Sequence, residues 1–241
     1  MGRLFITGDK HGDYADVEFF CQRAGTSKED ALIILGDAGV NYWGGSRDKR
    51  LKKRLEKLPL TLLFVRGNHE SRPSPKMYRM HTICNALFSG TFLAEDEFPS
   101  LLFMIDGEEY RLGENSTPTL VLGGAYSVDK WYRLEQQYLG HKGYRWFYDE
   151  QLSEKEREAI DAKIPSMSPQ VILSHTCPLS HTPRDLFLPM VDQRTVDRST
   201  ELWLETVKHK LPDAKWYCGH WHTDRLDGNV RFMYNDFIEF K

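Results

Sequence analysis

The sequence lacks the features that would place the protein in a membrane or hold it together with disulfides. Its longest apolar runs, such as 31–35 and 60–65, have the length of a single strand, whereas a membrane-spanning helix needs about 20 apolar residues. Four cysteines occur without a Cys-x-x-Cys pair, which favours small buried thiols over disulfides or a structural zinc site. We therefore expect an ordinary globular protein with no membrane segment.

A strong charge of one sign is also missing. The net charge of −3 over 241 residues argues against a nucleic-acid footprint across the whole surface. No Pro/Gly/Ser-rich linker divides the chain, so residues 1–241 are predicted to form a single domain. The first residues lead directly into an apolar stretch and a Gly-Asp pair, which leaves no room for a secretory signal and predicts a cytoplasmic protein.

Short apolar runs alternate with helical patterns along the chain. The runs predict buried strands at 3–7, 31–35, 60–65, 119–122, 171–174 and 215–218. The helical patterns cover 14–24, 47–58, 152–163 and 200–210. The turns at Asp106-Gly107 and Asp227-Gly228 predict hairpins. Together these elements predict a layered α/β fold with some antiparallel pairing.

The polar residues that could carry chemistry each follow the carboxyl end of one of these predicted strands. They are Asp9, His11, Asp37, Asn68, His69, His175, His220 and His222. In open α/β sheets this edge is where ligands bind, because the loops that leave the strand ends converge there. The sequence therefore predicts one cluster built from residues far apart in the chain.

The donor groups of this cluster are carboxylates, an amide and imidazoles, without a thiolate. Such a set suits manganese, iron or zinc better than calcium, so we predict two divalent metal ions, with manganese favoured. Each motif alone has a simpler interpretation: Asp9 with His11 could cap the next helix, and Asp37 could serve a turn. Five such motifs at these positions are hard to obtain by chance.

Five sequence blocks together resemble the calcineurin-like metallophosphoesterase superfamily. They are Gly8-Asp9-Lys10-His11-Gly12, Gly36-Asp37, Gly67-Asn68-His69-Glu70, Ser174-His175 and Gly219-His220-Trp221-His222. The blocks occur in the family's order, and residues 71–118 are the part least determined by the resemblance. It implies a four-layer α/β sandwich with two central mixed β-sheets flanked by helices. It also implies a hydrolase that acts on phosphate esters.

The resemblance further implies a role for each matched residue. One metal ion would be held by Asp9, His11 and His222, the other by Asn68, His175 and His220, with Asp37 between them. A carboxylate has two oxygens, which suits ions about 3.5–4 Å apart. The nucleophile in the family is a water that the two ions activate. His69 would stay free of the metals, contact the phosphate and protonate the leaving oxygen.

One departure from the family bears on the substrate. The serine/threonine protein phosphatase branch has an arginine closely after its second Gly-Asp, whereas the first arginine after Asp37 is Arg47. A bidentate guanidinium is hard to replace as a phosphate clamp. We therefore predict a phosphodiester or nucleotide-like substrate, which could be a phosphorylated small molecule, a nucleotide or a nucleic acid. The alternatives are a protein phosphatase-like phosphomonoesterase and a non-catalytic binding scaffold.

A segment rich in aromatic and basic residues, 123–149, follows the fourth predicted strand on the same edge. Such residues can bind phosphate and stack on a base. Alternatively, the segment is a loop with buried rings and solvated cations. Arg66 could likewise reach the phosphate or pair with Glu70. The candidate substrate contacts are therefore Arg66, Tyr126, Lys130, Trp131 and Arg133.

Overall fold

A computed structural model of the protein describes residues 2–74 and 77–241. The strands of the amino-terminal half are β1 (Leu4–Thr7), β2 (Ala31–Leu35), β3 (Thr61–Val65), β4 (Arg79–Cys84), β5 (Phe88–Ala94), β6 (Leu101–Met104), β7 (Glu109–Leu112) and β8 (Thr117–Leu122). The later strands are β9 (Val171–Ser174), β10 (Lys215–Cys218), β11 (Arg225–Asp227), β12 (Val230–Phe232) and β13 (Ile238–Glu239). The helices are α1 (Ala15–Ala24), α2 (Gly45–Leu55), α3 (Lys130–Tyr138), α4 (Glu154–Lys163) and α5 (Ser199–Lys210).

The strands of the described chain form one hydrogen-bonded sheet of mixed direction. A first parallel group runs in the order β1, β2, β3, β6, and a second runs in the order β8, β9, β10, β12. Antiparallel pairs through β5 and β7 join the two groups, and β13 pairs antiparallel with β1. The predicted α/β fold with mixed pairing is confirmed. The division into two separate sheets stays a prediction.

The sheet curls so that the two parallel groups share an inner core. Ile6, Ile33 and Leu63 of the first group belong to the same buried cluster as Val121 and Leu173 of the second. Side chains alternate between the two faces of a strand, so the residues next to these in each strand point to the outer face of the sheet. The outer face of the first group is covered by α1 and α2, and that of the second by α4 and α5.

Most predicted elements are present within a few residues of their predicted bounds. The Asp227-Gly228 turn joins β11 and β12, which pair as a hairpin. The hairpin predicted at Asp106-Gly107 was wrong, because β6 and β7 both pair with β5 and not with each other. Seven-residue β5 is long enough to accept both strands, one after the other, along one edge.

No helix in the described part of the chain is long and apolar enough to cross a membrane. Cys21, Cys177 and Cys218 are buried thiols, as predicted. Cys84 is exposed instead, because β5 is the only described strand that pairs with β4, which contributes little to the core.

Candidate metal centre

The first group of predicted ligands meets where β1 and β10 end. His222 Nε2 lies 3.1 Å from Asp9 Oδ2 and 3.0 Å from His11 Nε2. The carboxylate and the two imidazoles come from opposite ends of the chain, yet their ligand atoms all lie within 4.8 Å of one another. The sequence prediction that these three side chains converge is thus matched by the geometry.

The second group surrounds the ring of His175. His175 Nε2 lies 2.8 Å from Asn68 Oδ1 and 3.4 Å from Asp37 Oδ1, and the ring centroids of His175 and His220 are 5.0 Å apart. His175 Nδ1 is 2.7 Å from the Leu35 carbonyl oxygen, to which it donates. That bond leaves Nε2 as the nitrogen that faces the other predicted ligands.

The two groups are joined by buried carboxylates. Asp9 and Asp37 are 3% and 1% exposed, and ligand atoms of both lie within 4.8 Å of one another and of His175. Although burial opposes ionisation, the charge of His175 lowers the pKa of Asp9 and holds that of Asp37 well below its usual range. Buried carboxylates need compensating positive charge, so their chemistry fits bound cations.

The histidines differ in charge because their surroundings differ. Burial disfavours the charged form of His175, but the Asp37 and Asp9 carboxylates outweigh it and raise its pKa to about 9. Burial and the neighbouring His175 lower the pKa of His220 to about 3, so its imidazole is neutral. Neutral imidazole beside ionised carboxylate is a donor set that divalent transition metals bind, and a cation bound there would replace the proton on His175. The residues present therefore fit the metals that the sequence predicts.

Unusual backbone conformations concentrate in the loops that carry these residues. His11, Asp37, His220 and His222 have φ angles of 46°, 46°, 65° and 47°. Positive φ costs a non-glycine residue roughly 1–3 kcal/mol, and such strain clusters at functional sites. Among the other non-glycine residues that the structure describes, only Ser116 has a positive φ.

Two glycines let one loop approach the carboxylate of another. A Cβ on Gly219 would lie 2.3 Å from Asp9 Oδ1, and a Cβ on Gly67 would lie 2.1 Å from Asp37 Oδ1. The backbone N–H of His220 donates to Asp9 Oδ1 at 2.9 Å, and that of His69 donates to Asp37 Oδ1 at 2.8 Å. The glycine of each Gly-ligand motif is therefore required by close approach.

His69 lies beside the predicted ligands, with its ring centroid 5.7 Å from that of His11. Its Nε2 is 3.9 Å from Asp37 Oδ2, and its buried Nδ1 has no hydrogen-bond partner among the described residues. Burial lowers the pKa of His69, while the Asp37 charge opposes that change. The ring also lines a cavity over the centre, where a substrate could meet it; its acid role remains a prediction.

Two supporting residues were missed in the sequence analysis. Asn68 Nδ2 donates to Ser127 Oγ at 2.9 Å, which turns the amide oxygen toward His175. The ring of Tyr234 stacks on His222, with centroids 4.7 Å apart. A single serine in a loop and a tyrosine beyond the last motif carry no distinctive signal. Only their position in the fold identifies them.

A cavity of about 450 Å³ lies over the centre, within the size range of small-molecule sites. Six of the predicted residues line it: His11, Asp37, Asn68, His69, His220 and His222. Of the candidate contacts in the aromatic segment, Tyr126 also lines it.

Lys130, Trp131 and Arg133 are not among the residues that line this cavity. The Arg133 guanidinium donates to Asp129 Oδ2 at 2.7 Å and to the Tyr42 hydroxyl at 2.9 Å. The Lys130 ammonium lies over the Trp146 ring, 4.3 Å from its centroid. Arg133 therefore has structural partners beside the cavity, where its charge contributes to lowering the pKa of His69; a contact of these three residues with substrate stays a prediction.

Arg66 is not among the residues that line the cavity over the centre, which favours the structural role over the phosphate contact. Its buried guanidinium donates to Asp106 Oδ2 at 2.8 Å and to the carbonyl oxygens of Glu150 and Gly123 at 2.9 and 3.1 Å. The alternative partner, Glu70, is not the one it pairs with. Because these bonds occupy its donors, Arg66 ties the end of β3 to the loops after β6 and β8.

We expect Arg66→Met to lower the free energy of unfolding by about 3–5 kcal/mol, because the Asp106 carboxylate, whose side chain is only 13% exposed, would lose its partner. Urea unfolding measures the change. The exposed pair Arg79–Asp96 provides a matched control, and Arg79→Met should cost less than about 1 kcal/mol. Equal losses in the two variants would contradict a structural role for Arg66.

Comparison with known proteins places this geometry in a family. A solved structure of phosphopantetheinyl hydrolase from Mycobacterium tuberculosis has a similar fold, with a TM-score of 0.50 at 13% sequence identity over 97% of this chain and 88% of that one. No curated protein sequence matches the chain significantly. Residues 2–224 match the calcineurin-like phosphoesterases, and the chain therefore belongs to that family of metal-dependent hydrolases, which act on ester bonds.

Proposed function

We propose that the protein hydrolyses a phosphodiester or nucleotide-like substrate at a centre of two divalent metal ions. The convergence of two buried carboxylates, one amide oxygen and four imidazoles at the carboxyl edge of the sheet supports this proposal most directly. Manganese is favoured, with iron and zinc as alternatives that this donor set also suits. The proposed ligands are Asp9, His11 and His222 for one ion, Asn68, His175 and His220 for the other, and Asp37 for both.

Two cations bound there would neutralise phosphate charge and make a water more acidic. The chain's own residues orient the reaction. The Leu35 carbonyl fixes the tautomer of His175, and Ser127 fixes the amide of Asn68. The attacking water would lose a proton to solvent and form a bond to phosphorus as the ester P–O bond breaks. In the proposal, His69 holds the proton that the leaving oxygen receives.

The charge of the cavity favours a diester. Arg198 is the only lysine or arginine among the described residues that line it, and no arginine follows Asp37 as in the protein phosphatases. A monoester dianion has more charge to neutralise than a diester, and guanidinium groups are the usual clamps for that charge. The protein phosphatase alternative is weaker for this reason. The scaffold alternative is weaker because the predicted ligand set is complete.

The substrate preference can be measured with the purified protein in Mn²⁺. We expect a higher kcat/KM for bis(4-nitrophenyl) phosphate than for 4-nitrophenyl phosphate, with cyclic nucleotides, single-stranded nucleic acid and a phosphopeptide tested alongside. A strong preference for the monoester or the phosphopeptide would favour the phosphatase alternative. No hydrolysis with manganese, iron or zinc would favour the scaffold.

We also propose that the two halves of the curled sheet correspond to the two sheets of the predicted four-layer sandwich. The inner core between them and the helices on both outer faces support this correspondence.

A further inference from the structure

One side of the cavity over the metal centre is apolar. We call this side the apolar wall; it is formed by Leu186, Phe187, Leu188, Val191, Val196 and Trp221. All but the last come from a single segment between β9 and α5. Leu186 and Leu188 are exposed, so the wall presents apolar surface that the protein itself does not cover.

The apolar wall is fixed to the loop that carries the metal ligands. Trp221 stands between His220 and His222, and its ring lies 6.0 Å from that of Phe187. The Arg198 guanidinium lies over the Phe187 ring, 5.0 Å from its centroid. The same guanidinium donates to Gln193 Oε1 at 2.9 Å. These contacts place apolar surface beside the proposed reaction centre.

Glu201 places a buried carboxylate among the residues that line the same cavity. Its Oε1 accepts a hydrogen bond from Thr176 Oγ1 at 2.9 Å. Its Oε2 is also buried but has no partner among the described residues. Leaving a buried polar atom without a partner is unfavourable, so a ligand that gives this carboxylate a further hydrogen bond would bind more tightly.

We propose that the apolar wall and Glu201 bind the organic group of the substrate, and that this group combines an apolar body with an amide. This inference rests on the proposed function and names the substrate class for it. The apolar wall would cover the body by the hydrophobic effect. An amide suits Glu201 in either protonation state, because it offers both an N–H donor and a carbonyl acceptor. The occupant is a small molecule, since the cavity holds about 450 Å³.

Three diesters that share the 4-nitrophenolate leaving group test the proposal. Their second substituents are methyl, hexyl and 6-acetamidohexyl. We expect kcat/KM to rise about tenfold from methyl to hexyl, because one or two buried methylenes at about 0.8 kcal/mol each already account for that factor. A further rise of about threefold or more is expected for the acetamide, from one added hydrogen bond.

Variants assign these two increases to the apolar wall and to Glu201. Val191→Asp should remove the preference for hexyl over methyl, whereas Met190→Asp should keep it, because Met190 is 89% exposed and lies outside the lining. Glu201→Leu should remove only the advantage of the acetamide. The conservative Glu201→Gln should retain part of it, and Leu202→Ala, on the exposed side of α5, should retain all of it.

A binding measurement separates this inference from the proposed function. Calorimetry with hexylphosphonate and methylphosphonate reports the apolar wall without turnover, and the hexyl compound should bind about tenfold more tightly to the parent but not to Val191→Asp. Equal binding of the two phosphonates, or equal kcat/KM for methyl and hexyl esters, would overturn the inference. Hydrolysis of none of the esters, with hexylphosphonate still preferred, would overturn the proposed function alone.

Discussion

Asp37→Asn is expected to release at least one metal ion and to lower kcat about a thousandfold, since two-metal sites supply several kcal/mol of charge stabilisation and each 1.4 kcal/mol is tenfold in rate. The expected effect follows from the position of the Asp37 carboxylate between the two groups of predicted ligands. Asp37 Oδ1 lies 3.4 Å from His175 Nε2, while Oδ2 lies 3.9 Å from both His11 Nδ1 and His69 Nε2. An amide keeps the shape but removes the negative charge between the two proposed ions. Elemental analysis gives the metal content, and hydrolysis of bis(4-nitrophenyl) phosphate gives the rate.

Asp96→Asn provides the control for that experiment. Asp96 is exposed and pairs with Arg79 on the surface, so its variant should hold as much metal as the parent and react at the same rate. Two tightly held ions in both the parent and Asp37→Asn would reject the bridging assignment. Loss of metal from the surface variant as well would show that the assay reports general instability.

His69→Asn is expected to keep the metal content of the parent and to slow hydrolysis by roughly 10² to 10⁴ for esters with poor leaving groups. Activated aryl esters should be affected less, because their leaving oxygen needs little protonation. We expect an effect on the rate but not on metal binding because Nδ1 of His69 has no partner among the described residues and its ring lines the cavity. Steady-state kinetics on an alkyl and a 4-nitrophenyl diester, with metal analysis of the same samples, measures it.

The exposed His209, which pairs with Glu205 within α5, serves as the matched control, and His209→Asn should leave all these quantities unchanged. An equal loss on both kinds of ester, together with loss of metal, would move His69 into the set of ligands. An unchanged rate on the alkyl ester would remove it from the reaction.

The parts of the protein that could be predicted from sequence are those specified by short-range patterns. The apolar run of β2 ends directly before Gly36-Asp37, and that of β9 ends directly before His175. In each case the residues that form the strand also place a polar side chain at its carboxyl end. Because parallel strands bring those ends to one edge, local patterns were enough to expect the cluster of eight residues.

The parts that could not be predicted depend on distant partners. Nothing near Arg66 in the sequence reveals that its guanidinium bonds to Asp106, forty residues away. The apolar wall could not be predicted either, because the segment around Leu188 has neither helical nor strand periodicity. Its role depends on its position beside Trp221 in the cavity. For the same reason the sequence could not show that, of Tyr126, Lys130, Trp131 and Arg133, only Tyr126 lines the cavity.

The pairing of β1 with β13 has a consequence for the nascent chain. β1 precedes the Asp9 and His11 loop, and its two neighbours in the sheet are β2 and β13. Translation delivers β2 soon after β1 but β13 more than 200 residues later, so one edge of β1 stays open on the ribosome until that later segment has been made. Open strand edges pair readily with other chains. The open edge of β1 is covered only after His220 and His222 have also been synthesised. Pairing with β13 therefore protects β1 from aggregation at the same stage at which the proposed metal centre can be completed.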